Sequence, residues 1–395
     1  MESIILKKGK EEKILSGHLW IYDNEIDKIP QECKNGDIVY ISSNNLKKIA
    51  IGYLNRNSKI TVRILEMIKN LKDGGIDLEE LMRKKIRTAI KKRENIKNTD
   101  AKRLIFSEAD FLPGLIVDKY AEMIVIQITT LGMDKIKDII IKILDEEIKP
   151  EYIYEKSISD VRLKEGLLKI ERMIKPENSK VPEIIIQENG IKFKVYVNRG
   201  SKTGFYLDQR ENREKIKNFV NGKSVLDCFC YTGGFSVYAL KYGAIKSTGI
   251  DISEDALKTA EENMKINNLK NFKFIKADVF DELSELQKKK ENFDVIVLDP
   301  PPFSKTDKEK LNAIKGYEFL HNAAFNLLKK DGVLFTFSCS QNITKEDLLK
   351  VINKTAAKSR VFIKVIDFLT QAPDHPYIKN IPETFYLKGV IIKKI

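Results

Sequence analysis

The sequence predicts an α/β protein whose C-terminal part is a parallel sheet covered by helices. Three observations support this prediction. Residues 225–234 read VLDCFCYTGG, a short buried strand that ends in a glycine turn and leads into a helical pattern. Several later apolar strands end in an acidic residue, and helical segments such as 255–267 lie between them. Strand, glycine turn and helix form the opening unit of nucleotide-binding α/β domains.

Acidic residues follow the successive strands of this part of the chain. Strand 247–252 carries Asp251 at its end, strand 272–279 carries Asp278, and strand 293–302 leads to Asp299 and three prolines. An acid about 20 residues beyond the first turn is placed to bind both ribose hydroxyls of an adenosine ligand. No G-x-G-x-x-G cradles a pyrophosphate, so the pattern favours S-adenosylmethionine over a dinucleotide.

Length and composition limit the possible classes of protein. The chain has 395 residues, 42% of them hydrophobic, and a net charge of +13. Two or three domains with real cores are expected at this length. The positive charge either serves a polyanionic partner such as nucleic acid or reflects the amino-acid usage of an AT-rich genome.

Cysteines, histidines and apolar runs indicate the compartment and exclude some sites. The four cysteines are irregularly spaced, which argues against a disulfide framework and for the reducing cytoplasm. Residues 1–13 lack the apolar stretch of a signal peptide, and no apolar run approaches ~20 residues. The three histidines have no neighbours at ligand spacing, so we expect neither zinc nor a membrane span.

Residues 1–72 are expected to form a small β-rich domain. Short alternating segments at 4–7, 37–41, 48–53 and 60–64 are separated by turn sequences. The segment around Trp20 and Tyr22 is a helix-to-strand junction. These two rings either stack on bases or fill the core of a small barrel.

Residues 73–182 are expected to form a second, central unit. It opens with a helix over 77–98 that carries a dense basic run including Arg83 and Lys84. The run is either a solvated helix face or a surface that contacts phosphates. Strands over 123–129 and 152–155 and a helix over 133–147 follow.

Residues 183–210 lead into the C-terminal domain, 183–395. Two alternating segments flank Asn189-Gly190, which is a strong hairpin signal. The loop that follows reads RGSKTGFYLDQR and enters a helix at residue 211.

Taken together, these motifs resemble one known family. The matching segments are WIY at 20–22, DFLPGLIVD at 110–118, KTGFYLDQR at 202–210, DCFCYTGGF at 227–235, DPPPF at 299–303, SCS at 338–340, DHP at 374–376, PE at 382–383 and YLK at 386–388. The chain resembles the class I S-adenosylmethionine-dependent ribosomal RNA methyltransferases with an N-terminal PUA domain, the RlmI type. The resemblance spans the whole chain. The combination of these segments is specific to the family, although no single segment is.

The resemblance implies a fold and an activity. It implies a small β-barrel PUA domain, a central α+β domain and a Rossmann-like methyltransferase domain. It also implies that the protein uses S-adenosylmethionine to methylate C5 of a cytosine in large-subunit (23S) ribosomal RNA. A homodimer is compatible with the family, although no stretch of this sequence demands one.

Methylation of cytosine C5 requires a nucleophile, because C5 itself reacts poorly. A thiolate that adds to C6 turns the ring into an enamine that can take up a methyl group. Cys339 follows the last strand of the motif series and is the expected nucleophile, with a buried packing cysteine as the alternative. Asp299 is expected to hold the N3 and N4 edge of the base, or else to cap a turn. Phe303 either stacks on an extruded base or belongs to the core.

The expected cofactor site combines the strand ends with the loop before the first strand. Asp251 would bind the ribose and Asp278 the adenine amino group, beside the Val279 backbone, with Ile252 also lining the site. Asp227 and the turn residues Tyr231, Thr232 and Gly233 would face the methionine part. By the resemblance, Phe205, Tyr206 and Asp208 would close over it. Arg210 and Arg213 are equally compatible with RNA contacts and with a structural role.

Three other functions compete with this hypothesis. An Asp-Pro-Pro turn before an aromatic residue is similar to that of enzymes that methylate nitrogen, where no cysteine is needed and the target is a guanine or adenine of RNA. A non-catalytic RNA-binding ribosome-assembly factor could retain the fold. A dinucleotide oxidoreductase lacks its phosphate fingerprint here. Binding of S-adenosylmethionine separates the last two from a methyltransferase.

Overall fold

The computed structural model describes residues 1–68, 76–200, 202–303 and 309–395. This part of the chain divides into two compact units. The first contains Met1–Ile186, Val195–Phe205 and Pro373–Thr384, and the second contains Gln187–Lys194, Tyr206–Ala372 and Phe385–Ile395. The boundary expected between 72 and 73 lies outside the described residues, so the division into three domains stays a prediction.

A six-stranded sheet opens the first unit. Its strands are β1 (Ser3–Leu6), β2 (Trp20–Tyr22), β3 (Ile26–Lys28), β4 (Ile38–Ser42), β5 (Lys48–Leu54) and β6 (Ile60–Met67), with helix α1 (Glu11–Leu15) after β1. The strand order is β2-β6-β5-β4-β1-β3. Alternate residues such as Ile4, Leu6 and Ile41 are buried in one apolar cluster, as the two-residue period of a strand requires.

A five-stranded sheet with helices forms the rest of the first unit. Its elements are α2 (Leu78–Lys91), β7 (Ala101–Phe106), β8 (Leu115–Tyr120), β9 (Met123–Ile128), α3 (Leu131–Lys135), α4 (Lys137–Ile148), β10 (Tyr152–Ser157), α5 (Val161–Lys164) and β11 (Ile170–Lys175). The strand order is β11-β10-β9-β8-β7. Helices α2 and α4 bury apolar residues such as Met82, Ile86 and Ile143 in a core that also contains Tyr53 and Leu65 from the first sheet. The two sheets therefore share apolar packing.

Two helix predictions in this unit were wrong in extent. The helix expected over 77–98 ends at Lys91, because the chain turns there and the Arg93 side chain points inward to Asp110 and the Ala89 carbonyl. The single helix expected over 133–147 is two helices, since Ile136 departs from helical geometry with φ −107° and ψ 16°.

A seven-stranded sheet organises the second unit. A hairpin, β12 (Ile184–Glu188) and β13 (Ile191–Val195), precedes it in sequence. The elements that follow are α6 (Arg210–Lys215), β14 (Ser224–Cys228), α7 (Gly234–Lys241), β15 (Lys246–Asp251), α8 (Glu254–Ile266), β16 (Phe272–Lys276), α9 (Val279–Lys288), β17 (Phe293–Leu298), α10 (Lys310–Leu327), β18 (Leu328–Ser338), α11 (Lys345–Lys358), β19 (Ile363–Thr370) and β20 (Lys388–Lys394). The strand order is β16-β15-β14-β17-β18-β20-β19.

The order of these strands fixes where a ligand can bind. The first five strands are parallel, and β20 is inserted antiparallel between β18 and β19. The direction of winding reverses between β14 and β17, and ligands of open α/β sheets bind outside the carboxyl ends of the strands at this point. Strand β16 was expected to continue to residue 279, but it ends at Lys276. Asp278 instead caps α9 by accepting the Phe280 N–H at 2.8 Å.

Candidate active site

The turn after β14 is held by Asp227 and by unusual backbone conformations. The buried Asp227 carboxylate accepts the Ser236 N–H at 3.0 Å and the Ser236 hydroxyl at 2.7 Å, which ties β14 to the first turn of α7. Burial raises the pKa of Asp227 to about 7, with the nearby Asp299 and Asp251 acting in the same direction. The buried acid therefore titrates near neutral pH.

The same turn contains three residues with left-handed backbone conformations. Phe229, Tyr231 and Gly233 have φ values of 61°, 49° and 76°. A Cβ atom on Gly233 would lie 3.0 Å from the Ala260 Cβ atom, so glycine satisfies both the backbone conformation and the space. The buried Thr232 hydroxyl has no hydrogen-bond partner within the described part of the chain.

Asp251 lies at the end of β15, beside this turn. Its Oδ2 atom accepts the Tyr231 N–H at 2.8 Å, and its Oδ1 atom accepts the Ser253 N–H at 2.9 Å. The carboxylate is half-buried and thus fixed in orientation at the strand end. This placement agrees with the position expected for a ribose-binding acid.

The next strand end carries the expected adenine contacts. Asp278 is exposed and caps α9, while the Val279 side chain packs in the core. Ile252 is 70% exposed, although it follows directly on Asp251. An apolar side chain that is open to solvent beside Asp251 is available to contact a flat ring.

The loop before α6 supplies two further expected cofactor residues to the second unit. The Tyr206 ring contacts the Tyr231 ring edge-on, with centroids 5.1 Å apart. The buried Asp208 accepts the Tyr386 hydroxyl at 2.6 Å. Phe205, the third residue of this group, is buried and belongs to the first unit.

Asp299 follows β17 and is oriented by two amides. Its Oδ2 atom accepts the Gln209 amide N–H at 2.9 Å. The Gln209 amide oxygen in turn accepts the Asn212 amide at 2.6 Å, and Asn212 also donates to the Thr370 carbonyl at 3.0 Å. The half-buried carboxylate is therefore held by a chain of hydrogen bonds in a defined orientation.

Cys339 follows β18, the strand parallel to β17, so its thiol lies at the same edge of the sheet as Asp299. The Cys339 Sγ atom is 3.7 Å from the Pro300 carbonyl oxygen. Cys339 is half-buried, whereas Cys33, Cys228 and Cys230 are buried. Its thiol is the one among the four that is partly open to solvent, as a nucleophile must be.

Phe303 lies in a cluster of aromatic rings. Its centroid is 5.1 Å from that of Tyr317, 5.9 Å from that of Phe280 and 6.5 Å from that of Phe229. The ring packs against the apolar core of the second unit and is partly buried. This environment favours the core alternative over stacking on a base.

The expected RNA-binding arginines of the second unit lie inside it. Arg213 is 2% exposed and binds both carboxylate oxygens of the buried Glu188, at 2.8 and 2.7 Å. Arg210 is also 2% exposed and pairs with Glu211 at 3.2 Å. The interior positions of these side chains favour the structural alternative for both.

The basic run of α2 is largely neutralised within the first unit. Arg83 pairs with Glu79 at 2.9 Å and also contacts two glutamates of α4, Glu146 and Glu147. Lys84 is exposed and forms no ion pair with the described residues. Of the two residues predicted to bind RNA here, Lys84 has the charge that is available to a phosphate.

These residues fit an S-adenosylmethionine molecule at the edge of the sheet. Asp251 presents a carboxylate at the strand end where a ribose would lie, and the buried Thr232 hydroxyl has no hydrogen-bond partner among the residues that the structure describes. The raised pKa of Asp227 shows that its negative charge is poorly compensated, as expected where a cationic amino group would bind.

Two residues of the site were quoted in motifs but not chosen as functional. Gln209 orients Asp299, and Lys388 donates to the Ser340 carbonyl at 2.7 Å beside Cys339. Both lie inside the segments KTGFYLDQR and YLK. Their partners are distant in sequence, so only the folded chain reveals the contacts.

Neither a membrane span nor a metal centre is found in what the structure describes. Within residues 1–68, 76–200, 202–303 and 309–395, no helix combines the length and apolar character needed to cross a bilayer. Over the same ranges, no three His, Cys, Asp or Glu side chains are grouped as metal ligands.

Comparison with known proteins identifies the family. A model of a PUA-like domain matches residues 4–66, and a model of S-adenosylmethionine-dependent methyltransferases matches residues 176–386. The chain is 38% identical to the ribosomal RNA large subunit methyltransferase I of Aeromonas hydrophila, over 99% of both chains. The protein of the same name from Shewanella denitrificans is also 38% identical, over 99% of this chain and 98% of its own.

Solved structures show the same fold. A putative S-adenosylmethionine-dependent methyltransferase from Streptococcus mutans has a TM-score of 0.83 at 23% identity, with both chains fully covered. A putative methyltransferase complexed with SAH has a TM-score of 0.84 at 24% identity, again with full coverage. The predicted α/β fold with a PUA-like N-terminal domain is confirmed. The chain belongs to the family of S-adenosylmethionine-dependent methyltransferases that contains the ribosomal RNA large subunit methyltransferases I.

Proposed function

We propose that the protein methylates C5 of a cytosine in large-subunit (23S) ribosomal RNA through a covalent bond between Cys339 and C6 of the base. The observation that carries the proposal is the position of Cys339. Its half-buried thiol lies at the carboxyl edge of the sheet, 3.7 Å from the carbonyl of Pro300, the residue that follows Asp299. The substrate class is supported by the names of the relatives and by the PUA-like domain.

The chemistry assigned to Cys339 is nucleophilic catalysis. The thiolate adds to C6, and the electron pair of the C5–C6 bond becomes available at C5, which takes up the methyl group. Loss of the C5 proton to a base then drives elimination of the sulfur and restores the double bond. Bound S-adenosylmethionine supplies the electrophilic methyl group.

Asp299 is proposed to bind the N3 and N4 edge of the cytosine. Its carboxylate can accept a hydrogen bond from the amino group and favours protonation at N3, which makes C6 more electrophilic. The hydrogen bond from Gln209 holds Asp299 in place for this role. The three prolines after Asp299 stiffen the turn on which it lies.

The cofactor is proposed to bind across the ends of β14, β15 and β16. Asp251 would bind the ribose hydroxyls and Asp278 the adenine amino group, with the Val279 backbone and Ile252 beside the ring. Asp227 and the turn Tyr231–Gly233 would face the methionine part. Phe205, Tyr206 and Asp208 would complete the site.

We propose that the surface that meets the RNA includes Lys84 of α2. Among the charged residues proposed to contact RNA, Lys84 is exposed and available, while Arg83, Arg210 and Arg213 are engaged within their units. The net charge of +13 favours a polyanionic partner. A cytoplasmic location and a possible homodimer are part of the same proposal.

The test is methyl transfer to unmodified large-subunit ribosomal RNA by the wild type, Cys339→Ala and the matched control Cys33→Ala. We expect 5-methylcytosine from the wild type and the control, and none from Cys339→Ala. RNA that contains 5-fluorocytosine should become covalently attached to the wild type, because fluorine cannot leave C5 as a proton does. Attachment should be absent in Cys339→Ala.

Other products would redirect the assignment. A methylated guanine or adenine, formed equally by Cys339→Ala, would replace carbon methylation by nitrogen methylation. If the protein neither binds S-adenosylmethionine nor methylates RNA, a non-catalytic role in ribosome assembly becomes the better explanation.

A further inference from the structure

The side chain of Lys388 lies across the segment that carries Cys339. Strand β20 pairs antiparallel with β18, and the register places Lys388 opposite Ser338. From there the Lys388 Nζ atom reaches the Ser340 carbonyl oxygen at 2.7 Å. The lysine therefore contacts the backbone on both sides of Cys339.

This lysine is a buried cation without a carboxylate partner. It is 5% exposed, and no Asp or Glu of the described ranges forms an ion pair with it. Burial lowers the pKa of Lys388 to about 8, and Cys339 is the group whose negative charge opposes that shift. A buried charge is costly unless an opposite charge accompanies it.

The other titratable groups described around the thiol carry no positive charge at neutral pH. Asp299, one residue before Pro300, is an acid and disfavours a second negative charge nearby. Tyr317 of α10 also faces Cys339 and Asp299, and burial raises the pKa of this phenol, which stays neutral. One turn further, burial lowers the pKa of His321 to about 4, so the imidazole is uncharged at neutral pH.

We propose that Lys388 is the counter-ion of the Cys339 thiolate and holds this sulfur ionised at neutral pH. When the Cys339 thiol loses its proton to solvent, the buried Lys388 ammonium gains a negatively charged partner and the two form an ion pair. When sulfur is later eliminated from C6, the same ion pair forms again. Lys388 is thus a positioning residue that acts through Cys339, and its use in catalysis rests on the proposed function.

The test is the pH dependence of alkylation of Cys339 by iodoacetamide, followed by mass spectrometry of the Cys339 peptide. Only the thiolate reacts, so the midpoint of the rate profile reports ionisation of the thiol. We expect the wild-type midpoint to lie below the usual value of about 8.5. In Lys388→Met the midpoint should rise by about one pH unit, which makes alkylation at pH 7 about tenfold slower.

A matched control comes from the same strand. The Lys394 Nζ atom also donates to backbone carbonyls, those of Phe325 and Leu328, both at 2.7 Å. Lys394→Met should leave the Cys339 midpoint unchanged, and Lys388→Arg should keep it low. Equal midpoints in wild type and Lys388→Met, or an equal shift in Lys394→Met, would overturn the assignment.

The experiment remains decisive if Lys388→Met does not fold. A wild-type midpoint at or above about 8.5 alone refutes a stabilised thiolate. Because alkylation needs neither RNA nor S-adenosylmethionine, the outcome is separate from that of the proposed function. Failure of the latter would appear as a methylated purine or as full activity of Cys339→Ala, with the alkylation profile unaffected.

Discussion

At the scale of single residues, the protonation of Asp227 bears on its proposed contact with the cofactor. Burial raises the pKa of this carboxyl to about 7, although two hydrogen bonds from Ser236 favour the ionised form. If the amino group of the methionine part binds beside it, the ligand requires the ionised carboxylate. Binding must then release a proton at any pH below that pKa.

We predict that affinity for S-adenosylmethionine rises about ninefold between pH 5 and pH 6, because the ionised fraction of an acid with a pKa near 7 rises by about that factor while the α-amino group of the ligand stays protonated. Isothermal titration calorimetry at the two pH values checks this, and two buffers of different ionisation enthalpy measure the released proton. Asp227→Asn should bind more weakly and without the pH dependence. Equal wild-type affinities at pH 5 and pH 6 would contradict the proposed contact.

The raised pKa of Asp227 makes the stability of the ligand-free protein fall with rising pH, whereas the affinity for S-adenosylmethionine is predicted to rise. The folded pKa of Asp227, about 7, lies above the unfolded value of about 3.9. The folded state therefore binds more protons than the unfolded state between these values, and the contribution to stability is lost as pH rises through about 7. Stability and cofactor affinity should thus respond to pH in opposite directions, and S-adenosylmethionine would offset the loss.

At the scale of elements, the turn between β14 and α7 depends on glycine at position 233. Its φ of 76° is left-handed, and a Cβ atom would approach the Ala260 Cβ atom to 3.0 Å and the Phe274 ring to 3.2 Å. Both the backbone strain and the crowding affect the segment that is proposed to face the methionine part of the cofactor. Replacement of this glycine therefore tests the element and the site together.

We predict that Gly233→Ala lowers the free energy of unfolding by more than about 1–2 kcal/mol, the cost of a left-handed conformation alone. It should also weaken binding of S-adenosylmethionine. The matched control is Gly222→Ala, where φ is 68° and nothing lies within 4 Å of the added Cβ atom. Thermal unfolding and calorimetry measure both effects. Equal losses of stability in the two variants, with unchanged affinity, would show that crowding at Gly233 is unimportant.

Strands with strong local signals could be predicted from the sequence, whereas elements set by tertiary contacts could not. The strand expected at 293–302 is β17, which ends at Leu298, before the prolines that cannot donate to a ladder. The predicted sheet lacked β20, because its position beside β18 depends on a pairing across a long stretch of chain. Helical segments were expected between these strands without individual bounds, and α10 is the one between β17 and β18.

The candidate site shows the same division. Asp251 was predicted from its spacing after a strand, and the structure places it at the strand end, where it accepts two backbone N–H groups. The buried positions of Arg210 and Arg213 could not be predicted, because arginine side chains are usually exposed and are buried only when they are paired. Their partners, and that of Lys388, come from other parts of the unit.

At the scale of the whole molecule, buried ion pairs join parts of the first unit that are far apart in sequence. Arg93 binds both carboxylate oxygens of Asp110, at 2.6 and 2.7 Å, and donates to the Asp374 carbonyl at 3.1 Å. The Arg103 guanidinium binds both carboxylate oxygens of Asp118, at 2.7 and 2.8 Å. The backbone N–H of Arg103 donates to the Asp374 carboxylate. The DFLPGLIVD and DHP segments are thus connected through charges that are shielded from water.

The Asp118 carboxylate also accepts a hydrogen bond from Thr203, which lies in the KTGFYLDQR segment. Thr203 in turn contacts the Tyr120 hydroxyl at 2.8 Å, and the Phe205 N–H donates to that hydroxyl at 3.2 Å. Asp118 is fully buried and Arg103 is 7% exposed. Removal of the negative charge would therefore leave a buried guanidinium without compensation and loosen the segment that ends at Phe205.

We predict that Asp118→Asn destabilises the first unit by about 3 kcal/mol, the usual cost of leaving one member of a buried ion pair uncompensated. Trp20, the chain's one tryptophan, belongs to this unit and donates to Glu108 at 2.9 Å, so its fluorescence during urea unfolding follows the unit directly. The control is Glu79→Gln, which alters the solvent-accessible pairs of Glu79 with Lys142 and Arg83 and should shift the midpoint little. If both variants shifted it equally, the segments would be joined by apolar packing rather than by the buried charges.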